Sequence, residues 1–304
     1  MKILVTGGSG FIGSHVVDLL VQEGHNVKIY DIESPMYNQD CDFVKGDVLD
    51  LARLIKETRG IDVIYHFAAE ADVNRFYESP YYSNLVTSGG TINVLEAARV
   101  NGIKRVLLAS TEWVYGSGDG DENEVVTEDT PITNNPDHLY TSSKIASEMF
   151  CKNYNRLYGV CYTIMRFGIP FGERARSTTV TPIFIKRILN DEEITIHGDG
   201  KQFRQFIYVR DLARGCVACL SDAAENQIFN LNGKKKISVI DVVRNLEEVL
   251  KKRARVKFVK DRAGQFRGRF ISSEKAKNLL GWEPSMDYKE ALMKYVGWYK
   301  KNCV

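Results

Sequence analysis

Tyr140 and Lys144 stand four residues apart in a segment with the residue pattern of a helix. Residues at this spacing share one helix face and lie one turn apart, so the phenol and the ammonium would be neighbours. A nearby positive charge favours the phenolate, and the sequence therefore predicts that Lys144 lowers the pKa of Tyr140 from about 10 and makes it a general base. The same spacing arises by chance in a chain with 15 tyrosines, and the alternative is an exposed helix pair without catalytic function.

A hydroxyl group for the same site is expected from the segment 109–116, at the end of the predicted buried strand 105–110. Sheets of parallel strands bind ligands at the carboxyl ends of the strands, so a side chain at this point can reach a ligand. A hydroxyl in this segment could hold a substrate hydroxyl in line with Tyr140. The alternative is ordinary hydrogen bonding at the end of a strand.

The pattern of the first thirty-one residues predicts a nucleotide-binding site next to Tyr140 and Lys144. An apolar run, 2–6, is followed by Gly7, Gly10 and Gly13, and then by apolar residues at helical spacing. Gly7 permits a tight turn, Gly10 lets backbone N–H groups approach a pyrophosphate, and Gly13 lets helix and strand pack closely. Asp31 ends the next apolar run, where a carboxylate accepts both hydroxyls of an adenosine ribose and repels a 2′-phosphate. We therefore predict NAD rather than NADP, against the alternative of a glycine turn that only tightens a strand–helix junction. The predicted cofactor contacts here are Gly7, Gly10, Phe11, Ile12, Gly13 and Asp31. The oxidised nicotinamide would add a second positive charge near Tyr140.

Strand and helix patterns alternate through the first half of the chain, which predicts an α/β fold with a doubly wound parallel sheet. After Phe167 the predicted elements become shorter and the loops longer. We therefore predict two domains: residues 1–167 bind the dinucleotide, with a returning segment near 205–232, and the remainder of residues 168–304 forms a smaller mixed α/β substrate domain. The segment 117–136 is rich in Gly, Asp, Glu and Asn and is expected to be a long exposed loop that could act as a lid.

Composition excludes several classes of function. The 304 residues include 41 basic and 39 acidic side chains, and a net charge of +2 gives no general attraction to nucleic acid or anionic membranes. The sequence has no apolar run near the ~20 residues of a membrane span. Six scattered cysteines without a secretion signal favour reduced thiols in a cytoplasmic protein. Cys216 and Cys219 lack a second cysteine pair and a nearby histidine, so core packing is preferred over metal or redox chemistry, and no metal is predicted.

With these residues established, the chain resembles the extended short-chain dehydrogenase/reductase family, the nucleotide-sugar epimerases and dehydratases, over essentially its whole length. The segment 197–206 resembles the family's G-D-G-x-Q-x-R-x-F motif, 262–265 resembles R-x-G-D, and 280–284 matches the closing L-G-W-x-P. The resemblance implies a triad of Thr111, Tyr140 and Lys144, in which Lys144 also binds the nicotinamide ribose. It implies further cofactor contacts at Asp47, Val48, Phe67, Ala68 and Ala69. It also implies that Arg204 and Arg262 meet the substrate diphosphate.

Departures from the family pattern leave the sugar and the base open. Thr87 stands where a cofactor-side Asn is common, and Thr179 where some epimerases contact the nucleotide with Asn. Ile169 replaces another family Asn, and Gln265 replaces an acid. Glu70 follows the fourth predicted strand and could add a carboxylate near the sugar.

Glu112 and Trp113 bear on the reaction. The 4,6-dehydratases carry two acids after the threonine, whereas this chain has only Glu112, with Trp113 in place of the second acid. Simple 4-epimerases need neither acid. The resemblance therefore favours a UDP-sugar 4-epimerase that works through a 4-keto sugar. A dehydratase, or another 4-keto-forming enzyme with Glu112 as acid and base, is the main alternative, and an NAD-binding sensor without catalysis is a third. The resemblance also implies a homodimer through helices 90–101 and 140–157.

Overall fold

The computed structural model describes residues 1–116, 124–260 and 268–303. Its strands are β1 Lys2–Thr6, β2 Asn26–Asp31, β3 Asp42–Lys45, β4 Val63–His66, β5 Arg105–Thr111, β6 Val125–Val126, β7 Cys161–Phe167, β8 Ile169–Phe171, β9 Glu193–His197, β10 Phe203–Arg204, β11 Phe206–Tyr208, β12 Gln227–Leu231, β13 Ile237–Ser238, β14 Arg255–Val259 and β15 Phe270–Ile271. Its α-helices are α1 Phe11–Gln22, α2 Leu51–Glu57, α3 Val73–Glu78, α4 Pro80–Asn84, α5 Gly90–Asn101, α6 Leu139–Tyr158, α7 Val180–Leu189, α8 Val209–Ala218, α9 Val239–Leu250, α10 Glu274–Leu280 and α11 Tyr288–Asn302. A π-helical turn, Leu85–Gly89, joins α4 to α5, and short 3₁₀ turns cover Glu112–Tyr115 and Asp222–Ala224.

Seven strands form one parallel sheet in the order β12-β7-β5-β4-β1-β2-β3. Every residue of β5 is buried, as expected for a parallel strand that is covered by helices on both faces. β1 pairs with β2 on one side and with β4 on the other, so the strand order reverses at β1. A crevice opens at the carboxyl ends of strands where the order reverses, and there doubly wound sheets bind their ligands. The predicted Rossmann-type fold is confirmed.

Hydrophobic clusters cover the two faces of this sheet. One cluster contains Leu20 of α1 and Leu212 of α8, and the other contains Leu95 of α5 and Cys151 of α6. Cys216 and Cys219 are fully buried, unbridged members of the first cluster, which confirms their predicted role in core packing. Within the described residues, no group of three or more His, Cys, Asp and Glu side chains is arranged to hold a metal ion. No helix of the described chain is long and apolar enough to cross a membrane.

A third hydrophobic cluster forms mainly from elements after residue 167, where α7, α9 and α11 pack together with β9. Short strand pairs, β8–β11, β9–β14 and β10–β13, connect the segments around it. β12 lies inside the segment that was predicted to return, and it extends the main sheet beside β7. The domain boundary at residue 167 itself stays a prediction.

The segment 117–136 differs from its prediction as a long exposed loop. Residues 117–123 lie outside the described residues, but Val125–Val126 pairs in parallel with Phe270–Ile271, and Val126 is fully buried. The exposed-loop prediction is therefore wrong for this part of the segment. α3 and α4 were not predicted, because helices of five or six residues are too short to show a 3.6-residue period.

Candidate active site

The glycine turn between β1 and α1 is close-packed. Gly7 has a φ of +72°, and a Cβ atom there would lie 2.6 Å from the backbone nitrogen of Ala68. A Cβ on Gly13 would lie 2.2 Å from the carbonyl oxygen of Gly7, so Gly13 brings the helix against the turn itself. No described side chain caps the first turn of α1, whose backbone N–H groups are thus available to an anion.

Asp31 lies at the carboxyl end of β2, beside this turn. Its carboxylate accepts hydrogen bonds from the backbone N–H groups of Ser9 (2.9 Å) and Glu33 (3.1 Å). Burial raises the pKa of the Asp31 carboxyl, and these N–H donors act in the opposite direction. The side chain is thus held at the edge of the crevice, where the prediction of a ribose contact requires it.

One cavity of about 570 Å³ joins the glycine turn to Tyr140 and Lys144. Most of the predicted cofactor contacts line it: Gly7, Gly10, Phe11, Ile12, Gly13, Asp31, Asp47, Val48, Phe67, Ala68, Ala69, Tyr140 and Lys144. Thr87 does not line the cavity; it is buried, and its hydroxyl accepts a hydrogen bond from the backbone N–H of Glu70 at 3.2 Å. Glu70 lies outside the cavity wall as well, so Thr87 fixes the backbone that follows Ala69 and is not placed to touch a ligand itself.

The predicted triad comes together at the far end of the cavity. The Thr111 side chain lies beside the Tyr140 phenol and acts to lower the pKa of Tyr140. The Nζ atom of Lys144 donates to the carbonyl oxygen of Ala109 at 2.8 Å. The rings of Phe76 and Trp113 meet the Tyr140 ring edge-on, with centroids 5.7 and 5.9 Å away. These aromatic contacts fix the plane of the phenol.

The electrostatics of the triad differ from the sequence prediction. Burial raises the pKa of Tyr140 to about 12, against the opposing effects of the Thr111 side chain and the Arg176 charge. Burial lowers the pKa of Lys144 to about 8, and the Glu148 carboxylate raises it in part. In the protein alone, the prediction that Lys144 lowers the Tyr140 pKa is therefore wrong. Desolvation dominates, and Arg176, rather than Lys144, is the cation whose charge favours the phenolate.

A buried ion pair supports the helix that carries Tyr140 and Lys144. Glu148, one turn after Lys144, binds Arg166 of β7 through two hydrogen bonds of 3.0 and 2.7 Å. Ser110 donates to the same carboxylate at 2.6 Å, and Arg166 donates to the Tyr115 hydroxyl at 2.8 Å. This network ties α6 to β5 and β7. The sequence signal for this network is a Glu four residues after Lys144, on the same helix face as Tyr140 and Lys144.

Glu112 points away from the cavity. Its Oε2 atom accepts a hydrogen bond of 2.8 Å from the Asn232 amide, and Glu112 is 4% exposed. Burial raises its pKa to about 8, with Arg204 and the Asn232 hydrogen bond opposing. Trp113 lines the cavity instead. Arg204 lies outside the cavity wall near Glu112, and its guanidinium donates to the Phe203 carbonyl at 2.7 Å. Arg262 lies outside the described residues.

Arg176 is a cavity residue that the sequence analysis missed. It follows β8 in the loop before α7, and its Nη2 atom donates to the carbonyl oxygen of Ala71 at 3.2 Å. Thr179, at the start of α7, lines the same cavity, and its contact with the substrate stays a prediction. The only signal for Arg176 was a basic residue in a loop, because its place depends on the pairing of β8 with β11.

The sequence matches the profile of the NAD dependent epimerase/dehydratase family over residues 3–231. The chain belongs to this family. A relative from Methanocaldococcus jannaschii, named provisionally as a UDP-glucose 4-epimerase, is 35% identical, and the match covers 99% of both chains. The dTDP-D-glucose 4,6-dehydratase of Mus musculus is 30% identical over 99% of this chain and 89% of its own. The crystal structure of a UDP-glucose 4-epimerase from Thermotoga maritima with UDP-glucose superposes with a TM-score of 0.92, at 29% identity and with complete coverage of both chains.

The protein is thus an NAD-dependent enzyme of the epimerase/dehydratase family, and its residues fit that cofactor. The uncapped first turn of α1 suits a pyrophosphate, and the Asp31 carboxylate suits a ribose that carries two free hydroxyls. Ala68, Ala69 and Lys144 all line the cavity, and the small alanine side chains suit a flat ring. Bound NAD supplies a hydride acceptor and a positive charge at the end of the cavity where Tyr140 lies. Thr111 orients the Tyr140 hydroxyl there, and the surrounding rings restrict water around it.

Proposed function

We propose that the protein is a UDP-sugar 4-epimerase. Tyr140 removes the proton of the sugar C4 hydroxyl, and Thr111 orients that hydroxyl. Bound NAD would accept the C4 hydride and, once the 4-keto sugar has turned, return it to the opposite face. Lys144 binds the nicotinamide ribose in this proposal, and Thr179 and Arg262 contact the nucleotide part of the substrate, whereas Arg204, which lies outside the cavity wall, is assigned no substrate contact.

The observation that carries the proposal is the distribution of carboxylates around the cavity. Among the described residues that line it, the acidic side chains are Asp31 and Asp47, both next to the glycine turn and β3. The end around Tyr140 is lined by Trp113, Arg176 and Thr179 instead. A dehydratase needs an acid and a base at the sugar, beyond the hydride chemistry. Because Glu112 is bonded to Asn232 outside the cavity wall, this arrangement favours epimerisation over water loss.

A purified preparation incubated with UDP-, dTDP- and GDP-sugars tests the proposal directly. We expect NMR of the products to show inversion at C4 of a UDP-sugar, with no change in mass. UDP-glucose and UDP-glucuronate should both be included, since Arg176 could favour an anionic sugar. A product lighter by one water would establish the dehydratase alternative. NAD-loaded protein without turnover of any nucleotide sugar would favour the sensor.

We also propose that the protein is a homodimer through α5 and α6. Both helices expose apolar side chains, among them Ile92 and Val100 on α5 and Met149 and Leu157 on α6. Apolar side chains on two adjacent helices are typical of a packed helical interface. Light scattering should give twice the 34.5 kDa chain mass, and a monomer at micromolar concentration would refute this assembly. The cytoplasmic location stays a prediction.

A further inference from the structure

The segment 32–41, between β2 and β3, borders the adenosine end of the cavity. It begins directly after Asp31, and Ile32 lines the cavity wall. Its first residues are anchored to the glycine turn, because the Ser9 hydroxyl donates to the Glu33 carbonyl at 2.8 Å and Asp31 accepts the Glu33 N–H. Residues 37 and 38, farther along the segment, are held by other contacts.

The anchor of residues 37 and 38 is a cluster of four side chains from three parts of the chain. Asp18 of α1 forms an ion pair of 2.8 Å with Arg174 and accepts a hydrogen bond from the Asn38 amide. The Arg174 guanidinium lies over the Tyr37 ring, 4.1 Å from its centroid. Asp18 and Arg174 therefore hold residues 37 and 38 between them, through one charge-assisted pair, one hydrogen bond and one cation–π contact.

Both sides of this contact adopt unusual backbone conformations. Asn38 has a φ of 35° and Arg174 a φ of 65°, in the left-handed region that non-glycine residues seldom occupy. Such conformations cost free energy and persist where the surrounding contacts hold them. Here the contacts are those with Asp18 and Tyr37.

The backbone next to Arg174 is fixed independently of the segment 32–41. The His15 ring of α1 hydrogen-bonds the carbonyl oxygen of Glu173 at 3.0 Å. The Tyr208 hydroxyl donates to the Glu173 carboxylate at 2.8 Å. Arg174 is therefore a rigid support, and Tyr37 with Asn38 is the part that can leave it.

We propose that Asp18, Tyr37 and Arg174 form a clasp that holds residues 32–41 over the adenosine end of NAD and slows release of the cofactor. The clasp touches neither the nicotinamide end nor the sugar end of the cavity, so it sets the residence time of NAD and not the chemistry. The inference depends on the NAD dependence of the family and is independent of which sugar the enzyme takes.

The test uses the purified protein loaded with NADH. Its release is followed by fluorescence after mixing with excess NAD, without any sugar nucleotide. Arg174→Met keeps the length of the side chain but removes the charge, and we expect NADH to dissociate about tenfold faster than from the wild type. Tyr37→Leu removes the ring from the opposite side and should give a similar change. Because the two side chains act through one contact, the double variant should release NADH no faster than Arg174→Met alone.

Arg210→Ala is the matched control. Arg210 pairs with Glu173 at 3.3 Å, next to Arg174, and its loss should leave NADH release unchanged. Wild-type release rates in both Arg174→Met and Tyr37→Leu would overturn the clasp. Equal acceleration by Arg174→Met and Arg210→Ala would overturn it as well, since the effect would then belong to Glu173 and its surroundings. A chain that binds and releases NADH as expected but turns over no UDP-sugar would contradict the proposed function and leave the clasp intact.

Discussion

Replacing Glu148 by Gln should destabilise the protein strongly although the side chain keeps its shape. In the wild type, the Glu148 and Arg166 side chains are 0% and 2% exposed, and the carboxylate accepts bonds from Arg166 and Ser110. The amide would leave the Arg166 guanidinium buried without a counter-charge. Breaking a buried pair in this way costs about 3–5 kcal/mol of unfolding free energy.

Urea unfolding followed by circular dichroism measures this difference. The control is Glu193→Gln, which removes the partner of Lys257 from a surface pair whose side chains are 62% and 46% exposed, and it should cost no more than about 0.5 kcal/mol. Adding Arg166→Met to Glu148→Gln should recover part of the loss, because no unpaired charge then stays buried. If Glu148→Gln unfolds at the same urea concentration as Glu193→Gln, the reasoning about this buried charge is wrong.

Glu148→Gln should also affect the site. The Glu148 carboxylate raises the pKa of Lys144, so its loss lowers that pKa further below about 8. A larger fraction of Lys144 would then be neutral at pH 7.5, which would weaken the contact proposed between Lys144 and the nicotinamide ribose. We expect a higher Kd for NAD in the folded variant, measured by equilibrium titration. If the Kd of Glu148→Gln for NAD stayed the same from pH 6.5 to pH 8.5, the charge of Lys144 would not control NAD binding, and the prediction would be wrong.

Three further variants test the site. Tyr140→Phe should lower kcat by about 10²–10⁴-fold while the purified protein still binds NAD, and wild-type turnover would refute the role of the phenol. Glu112→Gln should retain epimerisation within a few-fold. The pKa of Glu112 is about 8 in the folded protein and 4.5 in the unfolded chain. As pH rises between these two values, the unfolding free energy of the wild type should therefore fall relative to that of the variant, by on the order of 1 kcal/mol per pH unit. If denaturant titrations gave the wild type and Glu112→Gln the same dependence of unfolding free energy on pH, the burial of this carboxyl would be contradicted. Arg176→Gln should raise the Tyr140 pKa and shift the pH–rate profile to higher pH. An unchanged profile would show that the Arg176 charge does not affect the pKa of the phenol.

The parts of the site that were predictable depend on local backbone chemistry. A φ of +72° at Gly7 and the contact of Gly13 with the turn both exclude a side chain, so glycine spacing reports the turn directly. Tyr140 and Lys144 share a face because α6 is a regular helix. Each of these features is decided within a few residues of the chain.

The parts that were not predictable depend on distant packing. The 3₁₀ turn after Thr111 sends Glu112 toward Asn232, which is 120 residues later in the chain, and leaves Trp113 in the cavity. The Tyr140 pKa follows from burial around the phenol, including the contact with Phe76, and the charge of Lys144 does not override it. Arg176 reaches Ala71 across more than one hundred residues. The spacing of residues along the sequence contains no information about such long-range contacts.

The late return of β12 to the sheet has a consequence for synthesis of the chain. All of β12 pairs with residues 163–167 of β7, yet the two strands are separated by about sixty residues, many of which belong to the third hydrophobic cluster. Until Leu231 has left the ribosome, a nascent chain exposes the hydrogen-bonding edge of β7 to other polypeptides. Ribosome-bound intermediates that stop short of this residue are therefore the stage at which the protein is most vulnerable to aggregation.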